Sequence, residues 1–151
     1  MGITRLQAVL RRHRRIAVDS SVFIYQLEAN RRYGAIANEI FEWIESPAHS
    51  AVTSTITLME VLVVPYRLAD QELVDRYYSL LTRYPHLEWT MPSLEIADIA
   101  ARLRAGYRLK PPDALQAATA VRTSATALVT NDAVFDRVES FESIILERFL
   151  A

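Results

Sequence analysis

A chain of 151 residues with 51% apolar and 23% charged residues has the length and composition of one globular domain, which excludes a disordered or fibrous protein. The absence of cysteine excludes disulfides and thiolate metal sites. The chain lacks both an apolar run of about 18 residues and the cleavage pattern of a signal peptide. We therefore expect a single domain over residues 1–151 that is soluble and cytoplasmic, with no membrane partner.

Basic residues are concentrated in three clusters, although the formal net charge is only −1. The clusters lie at residues 11–15, 31–32 and 102–110. Each is compatible with binding to a phosphate backbone and also with an ordinary solvated surface.

Five short apolar runs of strand length occur in chain order, at residues 16–18, 51–53, 87–91, 127–130 and 143–146. The segments between them contain apolar residues at helical spacing, as at Ile36, Ile40, Trp43 and Ile44. Strands that alternate with helices predict a three-layer α/β/α fold with a central parallel sheet of four to five strands. Pro111 and Pro112 must interrupt a helix that arrives from residue 106, so the next helix is predicted to start at Asp113.

Three acidic residues are predicted at the carboxyl edge of this sheet, where ligands bind in such folds. Asp19 ends the first strand, Asp132 follows the fourth, and Asp113 starts the helix that precedes the fourth. Glu60 is surrounded by apolar residues, with no Lys or Arg within five positions on either side. Burying such a carboxylate without a partner costs several kcal/mol, and a metal ion would satisfy it.

Mutual repulsion is the physical argument for a metal ion at these four acids. Two carboxylates about 4 Å apart repel by roughly 4 kcal/mol near a protein surface. Oxygen ligands without cysteine or paired histidine suit Mg²⁺ or Mn²⁺ and disfavour zinc. His13, His49 and His86 have no ligand spacing and are interpreted as surface or core residues. The pattern predicts metal-dependent hydrolysis of a phosphodiester, with all four acids in metal binding and catalysis.

Each acid also has a structural interpretation. Asp19 and Asp113 could be helix N-caps, Asp132 could cap a short helix, and Glu60 could pair with a distant arginine. An aspartyl-phosphate phosphatase with Asp19 as nucleophile would need a second Asp two residues later, where the chain has Ser21. A module that binds RNA or protein without catalysis is the alternative from another class.

Four segments resemble, in order, the motifs of PIN-domain nucleases. They are residues 18–25, 57–62, 112–120 and 128–135, and their acids are separated by 41, 53 and 19 residues. The resemblance runs from Ile16 to Leu146, and the size and layout are similar to VapC-like toxins of toxin–antitoxin pairs.

This resemblance implies a Rossmann-like sheet and a Mg²⁺-dependent endoribonuclease, with Mn²⁺ as a substitute ion. It also implies an RNA substrate, a homodimer and a small antitoxin protein as partner. A nuclease that processes RNA without being a toxin remains an alternative. By position, Asp19, Glu60, Asp113 and Asp132 would be the acids of the site, while Ser21 and Asn131 would support ligands or orient water and phosphate.

Two features depart from the pattern of this family. Asp136 lies one helical turn after Asp132 and is a second candidate for the fourth acid. Residues 1–15 form a basic N-terminal extension, which could be an added helix, an RNA contact or a partner contact.

Overall fold

The computed structural model describes residues 2–150 and contains one sheet of five parallel strands. The strands are β1 (Arg15–Val18), β2 (Ser50–Ser54), β3 (Leu87–Thr90), β4 (Ala127–Thr130) and β5 (Glu142–Ile145). They lie side by side in the order β3-β2-β1-β4-β5, and Ala17 of the central strand aligns with Val52 and Leu128. Each predicted apolar run coincides with a strand to within one residue at either end.

Seven α-helices and two 3₁₀ helices connect and cover the strands within residues 2–150. The helices are α1 (Gly2–Leu10), α2 (Ser20–Leu27), α3 (Gly34–Glu45), α4 (Ile56–Arg67), α5 (Gln71–Leu81), α6 (Leu94–Tyr107) and α7 (Pro111–Arg122). The 3₁₀ helices are Ala133–Arg137 and Leu146–Phe149. None of the helices in the described part of the chain is long and apolar enough to span a membrane.

Side chains of the sheet alternate between two separate apolar clusters, one on each face. Ile16 and Val18 belong to the cluster that α1 to α5 complete, whereas Ala17 belongs to the cluster formed with α6 and α7. This alternation follows from the two-residue period of a strand. Helices therefore cover both faces of the parallel sheet, which confirms the predicted three-layer α/β/α fold.

The start of α7 differs from its prediction. The helix begins at Pro111, so Asp113 is its third residue and not its N-cap. Proline is tolerated there because the first N–H groups of a helix have no partner within the helix and its fixed φ suits the first turn. Lys110, which precedes the prolines, is extended with ψ 155°.

The basic N-terminal segment contains a helix that is part of the core. Leu6 and Leu10 of α1 are 0% and 1% exposed and pack in the first cluster. His13 is also buried, and its Nε2 lies 2.7 Å from Oε1 of Glu142 at the start of β5. Of the three roles considered for residues 1–15, the structure therefore shows the added helix.

Candidate active site at the carboxyl edge of the sheet

Asp19 is fixed at the carboxyl end of the central strand, between β1 and β4. Its Oδ1 accepts a hydrogen bond of 2.8 Å from the backbone N–H of Ser20, and its Oδ2 accepts one of 2.7 Å from Oγ1 of Thr130. The side chain is 9% exposed. Asp19 is thus the N-cap of α2, as one interpretation held, and it also occupies the position where a switch-point ligand binds.

Burial and neighbouring acids both disfavour the ionised form of these carboxyl groups. Burial raises the pKa of Asp19 most, and the charge of Asp132 raises it further, against the opposing hydrogen bonds from Thr130 and Ser20. Burial likewise raises the pKa of Glu60 and of Asp113, and the charge of Asp19 adds to both. The charge of Asp19 therefore acts on Glu60 and Asp113, and the charge of Asp132 acts on Asp19 and Asp113, at the carboxyl edge of the sheet.

The four acids are not paired with cations in the described part of the chain. Within residues 2–150, none of the four acids forms a salt bridge, so Glu60 lacks the arginine partner that would have explained its apolar setting. Lys110 is the cation whose charge lowers the pKa of Asp113, and its effect is smaller than those of burial and of the neighbouring acids. Uncompensated carboxylates are the hard oxygen donors that Mg²⁺ and Mn²⁺ prefer, so the residues present fit such an ion.

The four side chains do not form a preformed ligand cage. Across the described chain, no three His, Asp or Glu side chains are placed so that together they could hold a metal ion. Mg²⁺ does not need such a cage, since it usually keeps several water ligands and binds through one or two carboxylates. Binding of an ion through one or two of these carboxylates and water ligands therefore stays a prediction.

The sequence did not single out two hydroxyl residues that contact these acids. Thr130 donates to Asp19, and its Oγ1 also accepts a 3.1 Å hydrogen bond from the backbone N–H of Asp132. Ser20 is buried, and its backbone N–H and its Oγ donate to Oδ1 of Asp19 at 2.8 and 3.4 Å. Thr130 ends a strand and Ser20 directly follows Asp19, and these positions are the sequence features that could have identified them. Ser21, which was singled out instead, has a buried Oγ without a hydrogen-bond partner in residues 2–150.

Asn131 makes two contacts on the side of Tyr25. Its Nδ2 donates to the hydroxyl of Tyr25 at 3.0 Å, and its Oδ1 accepts from the backbone N–H of Glu147 at 2.8 Å. Both ends of the amide are therefore engaged in joining α2 to the 3₁₀ helix at Leu146–Phe149. A role in orienting water or phosphate remains a prediction.

The two candidates for the fourth acid differ in their surroundings. The side chain of Asp132 caps the first 3₁₀ helix by accepting a 2.9 Å hydrogen bond from Val134 N–H, and its charge acts on Asp19 and Asp113. Asp136 is instead paired with Arg148. The structure therefore favours Asp132, which is a helix cap as well as a member of the acidic site.

Raised pKa values predict that the metal-free protein loses stability as the pH rises. Asp19, Glu60 and Asp113 have folded-state pKa values above their ordinary 3.8, 4.5 and 3.8. Each group stabilises the folded state below its ordinary pKa, and this contribution is lost as the pH rises through the raised value. Glu142 has a lowered pKa, so its contribution is lost only as the pH falls below 4.5.

Urea unfolding in EDTA at about pH 5 and about pH 8 measures this effect. We expect wild type to have a lower free energy of unfolding at about pH 8 than at about pH 5. The difference between the two pH values should be smaller for Asp19→Asn, because this variant lacks one of the three groups with a raised pKa. The variant Glu88→Gln is the control, because this exposed side chain lies outside the acidic site. An equal pH dependence in wild type and Asp19→Asn would contradict the prediction.

Comparison with known proteins identifies relatives of this chain by sequence and by fold. The sequence model of the PIN domain family matches residues 16–140. No match is found among curated protein sequences. A toxin–antitoxin complex from Klebsiella pneumoniae has 26% identity and a TM-score of 0.65, over 87% of this chain and 97% of that one.

Two further solved structures share the fold at lower identity. VapBC2 from Rickettsia felis, bound to a promoter DNA fragment, has a TM-score of 0.69 at 17% identity, over 85% of this chain and 96% of that one. VapC20 from Mycobacterium tuberculosis, a toxin that cleaves the sarcin-ricin loop, has a TM-score of 0.65 at 15% identity, over 80% of this chain and 92% of that one. The family match spans well over half of the chain and confirms the resemblance of the four motifs, so this chain belongs to the PIN domain family of nucleases.

Proposed function

We propose that this protein is a Mg²⁺-dependent endoribonuclease, able to use Mn²⁺, and that it is the toxin of a toxin–antitoxin pair. The observation that carries the proposal is the group of four coupled acids at the carboxyl edge of the sheet, which has no salt-bridge partner in the described chain. Similarity to solved toxin–antitoxin complexes supports the biological role.

Each acid has a part in the proposed hydrolysis. Asp19 and Asp113 would hold the ion, since both come from rigid positions next to a central strand or in the first turn of a helix. When bound, the ion supplies charge stabilisation at the phosphate and activation of the attacking water. Glu60 is the proposed proton acceptor, because burial and the charge of Asp19 raise its pKa, and a carboxylate with a raised pKa is a stronger base. Asp132 orients that water.

Metal removal tests the proposed activity directly. The protein is purified free of any bound partner and incubated with total bacterial RNA, once with Mg²⁺ and once with EDTA. We expect discrete RNA fragments with Mg²⁺ or Mn²⁺, none in EDTA, and recovery when the ion is added back. Cleavage that persists in EDTA would contradict the metal requirement. RNA binding without cleavage under any condition would favour the non-catalytic alternative.

The proposed antitoxin has a candidate docking surface on α4. An open apolar groove of about 550 Å³ is lined by Leu58, Met59, Leu62, Val63, Tyr66 and Thr55. Met59 and Tyr66 are 56% and 59% exposed. Exposed apolar side chains grouped in this way mark a site of protein interaction. We propose that an apolar segment of the antitoxin fills this groove.

Tyr66→Lys is expected to weaken antitoxin binding by about 30-fold, the effect of losing an aromatic anchor. The measurement is co-purification and calorimetry with the product of the small reading frame beside the gene. Tyr78→Lys is the matched control, since Tyr78 is an exposed tyrosine of α5 that does not line the groove. An equal loss of antitoxin binding in both variants would contradict the assignment of the groove as the docking surface. Absence of any such partner would favour a nuclease that is not a toxin. Light scattering of the same samples tests the expected homodimer.

A further inference from the structure

Four exposed cations lie on the chain segments that lead to Asp113 and away from Asp132. Arg104, Arg108, Lys110 and Arg137, which we call the basic rim, are all exposed, and none forms a salt bridge within residues 2–150. Three of them come from the end of α6 and the loop before α7, and Arg137 ends the first 3₁₀ helix. The positive charge of the basic rim is therefore available to an external anion.

The loop that carries Arg108 and Lys110 is held in a defined shape. Leu109 between them is 3% exposed and packs in the second apolar cluster. Nε of Arg104 donates to the carbonyl oxygen of Leu109 at 3.1 Å, and Nη1 of Arg137 donates to that of Tyr107 at 3.2 Å. The buried Leu109 and the two hydrogen-bonded carbonyl groups therefore fix the backbone from which Arg108 and Lys110 extend.

Two members of the basic rim belong to the segments that carry two of the four acids. Lys110 is close enough to Asp113 for its charge to act on that carboxyl group. Arg137 ends the same 3₁₀ helix that Asp132 begins. A polyanion that brings one phosphate to an acidic centre must be held there by cations on its neighbouring phosphates, because the acids repel the rest of its backbone. The basic rim has the sign and position for this task.

The other basic clusters are differently placed. Arg12 pairs with Glu142 at the start of β5, and Arg15 begins β1, so residues 11–15 lie near the amino edge of the sheet, opposite the acids. Arg32 is paired with Glu147, and Arg102 with Asp98. Residues 11–15 are thus separated from the basic rim by position, whereas Arg32 and Arg102 are separated from it by their salt bridges.

We propose that Arg108, Lys110 and Arg137 bind backbone phosphates of the RNA that flank the bond to be cleaved, with Arg104 supporting the loop. The proposal rests on the proposed ribonuclease function, which it extends by naming the surface that holds the substrate. Such contacts are to phosphate and are independent of base sequence. They contribute to RNA affinity and to its dependence on salt.

Binding is measured in the Asp19→Asn background, which blocks turnover, by fluorescence anisotropy of a short mixed-sequence single-stranded RNA labelled with fluorescein. Arg108→Gln/Lys110→Gln is compared with Arg11→Gln/Arg14→Gln, which makes the same charge change in the cluster near the amino edge. We expect the first pair to weaken binding about tenfold at low salt and to reduce the slope of log affinity against log salt by about 1.4, which is 0.7 for each phosphate contact. The second pair should change neither quantity.

Equal affinities and salt slopes in the two double variants, or no binding of this RNA by the parent, would overturn the inference. Arg137→Gln provides a second, independent variant, and thermal melts establish that each protein is folded. With Asp19 restored, the Arg108→Gln/Lys110→Gln protein should show a KM raised by a larger factor than the one by which kcat falls, because these side chains hold RNA and do not contact the reacting bond. A protein that binds RNA through the basic rim but never cleaves it overturns the proposed function and leaves this inference standing.

Discussion

Asp19→Asn and Asp113→Asn are each expected to lower RNA cleavage in Mg²⁺ about 1,000-fold while leaving the protein folded. A metal ion supplies several kcal/mol of charge stabilisation at a phosphate, and a loss of about 4 kcal/mol corresponds to this factor. Asparagine keeps the size of the side chain but loses the negative charge that attracts the ion. Initial rates with a fixed RNA substrate measure the effect, and folded Asn variants that cleave as fast as wild type would contradict the site assignment.

Asp70→Asn is the matched control for Asp19→Asn. Asp70 is the N-cap of α5 and accepts a 3.0 Å hydrogen bond from Leu73 N–H. It therefore shares the capping role of Asp19 but is not one of the four acids of the site. We expect its cleavage rate to equal that of wild type. The comparison separates the charge of Asp19 from its contribution as a helix cap.

Thermal stability provides an independent measure of the same site. Burial and the charge of Asp132 already oppose ionisation of Asp19, so removing its charge should make Asp19→Asn no less heat-stable than metal-free wild type. The hydrogen bonds can adapt, because the hydroxyl of Thr130 can donate to an amide oxygen or accept from an amide N–H. A melting temperature many degrees lower would show that Asp19 is needed mainly as the cap of α2.

Features set by local pattern could be predicted from the sequence. The five strands follow from short apolar runs, and placing Asp19 and Asp132 together follows from the rule that parallel strands end at one edge. Glu60 was identified from its costly apolar setting, and the structure places it where the charge of Asp19 acts on it.

Contacts between distant segments could not be predicted in the same way. The partners of Asn131 depend on how α2 and the second 3₁₀ helix pack against the end of β4, which no local pattern specifies. The hydrogen bond from Thr130 to Asp19 depends on the register between β1 and β4. The prolines do lie beyond the end of α6, as predicted, but the start of α7 was placed two residues late because Pro111 and Pro112 form its first turn.

The largest expected effect on stability concerns α1, which lies before the region that the family pattern covers. Leu6→Ala and Leu10→Ala each remove a fully buried side chain and should each cost about 2–5 kcal/mol. Their sum is comparable to the whole stability of a typical domain, about 5–15 kcal/mol. We therefore expect the double variant to be largely unfolded at room temperature by circular dichroism.

Ile3→Ala is the control, because Ile3 lies on the same helix but is 38% exposed, and a change of about 0.5 kcal/mol is typical of such a surface position. A double variant as stable as wild type would show that α1 is a dispensable extension. The packing argues for the opposite result: Phe149 lies in the same apolar cluster as Leu6 and Leu10, and the guanidinium of Arg5 sits 5.5 Å from its ring centre. Without α1, apolar side chains on one face of the sheet would be exposed to water, so the unit that folds begins before the segment that the nuclease family shares.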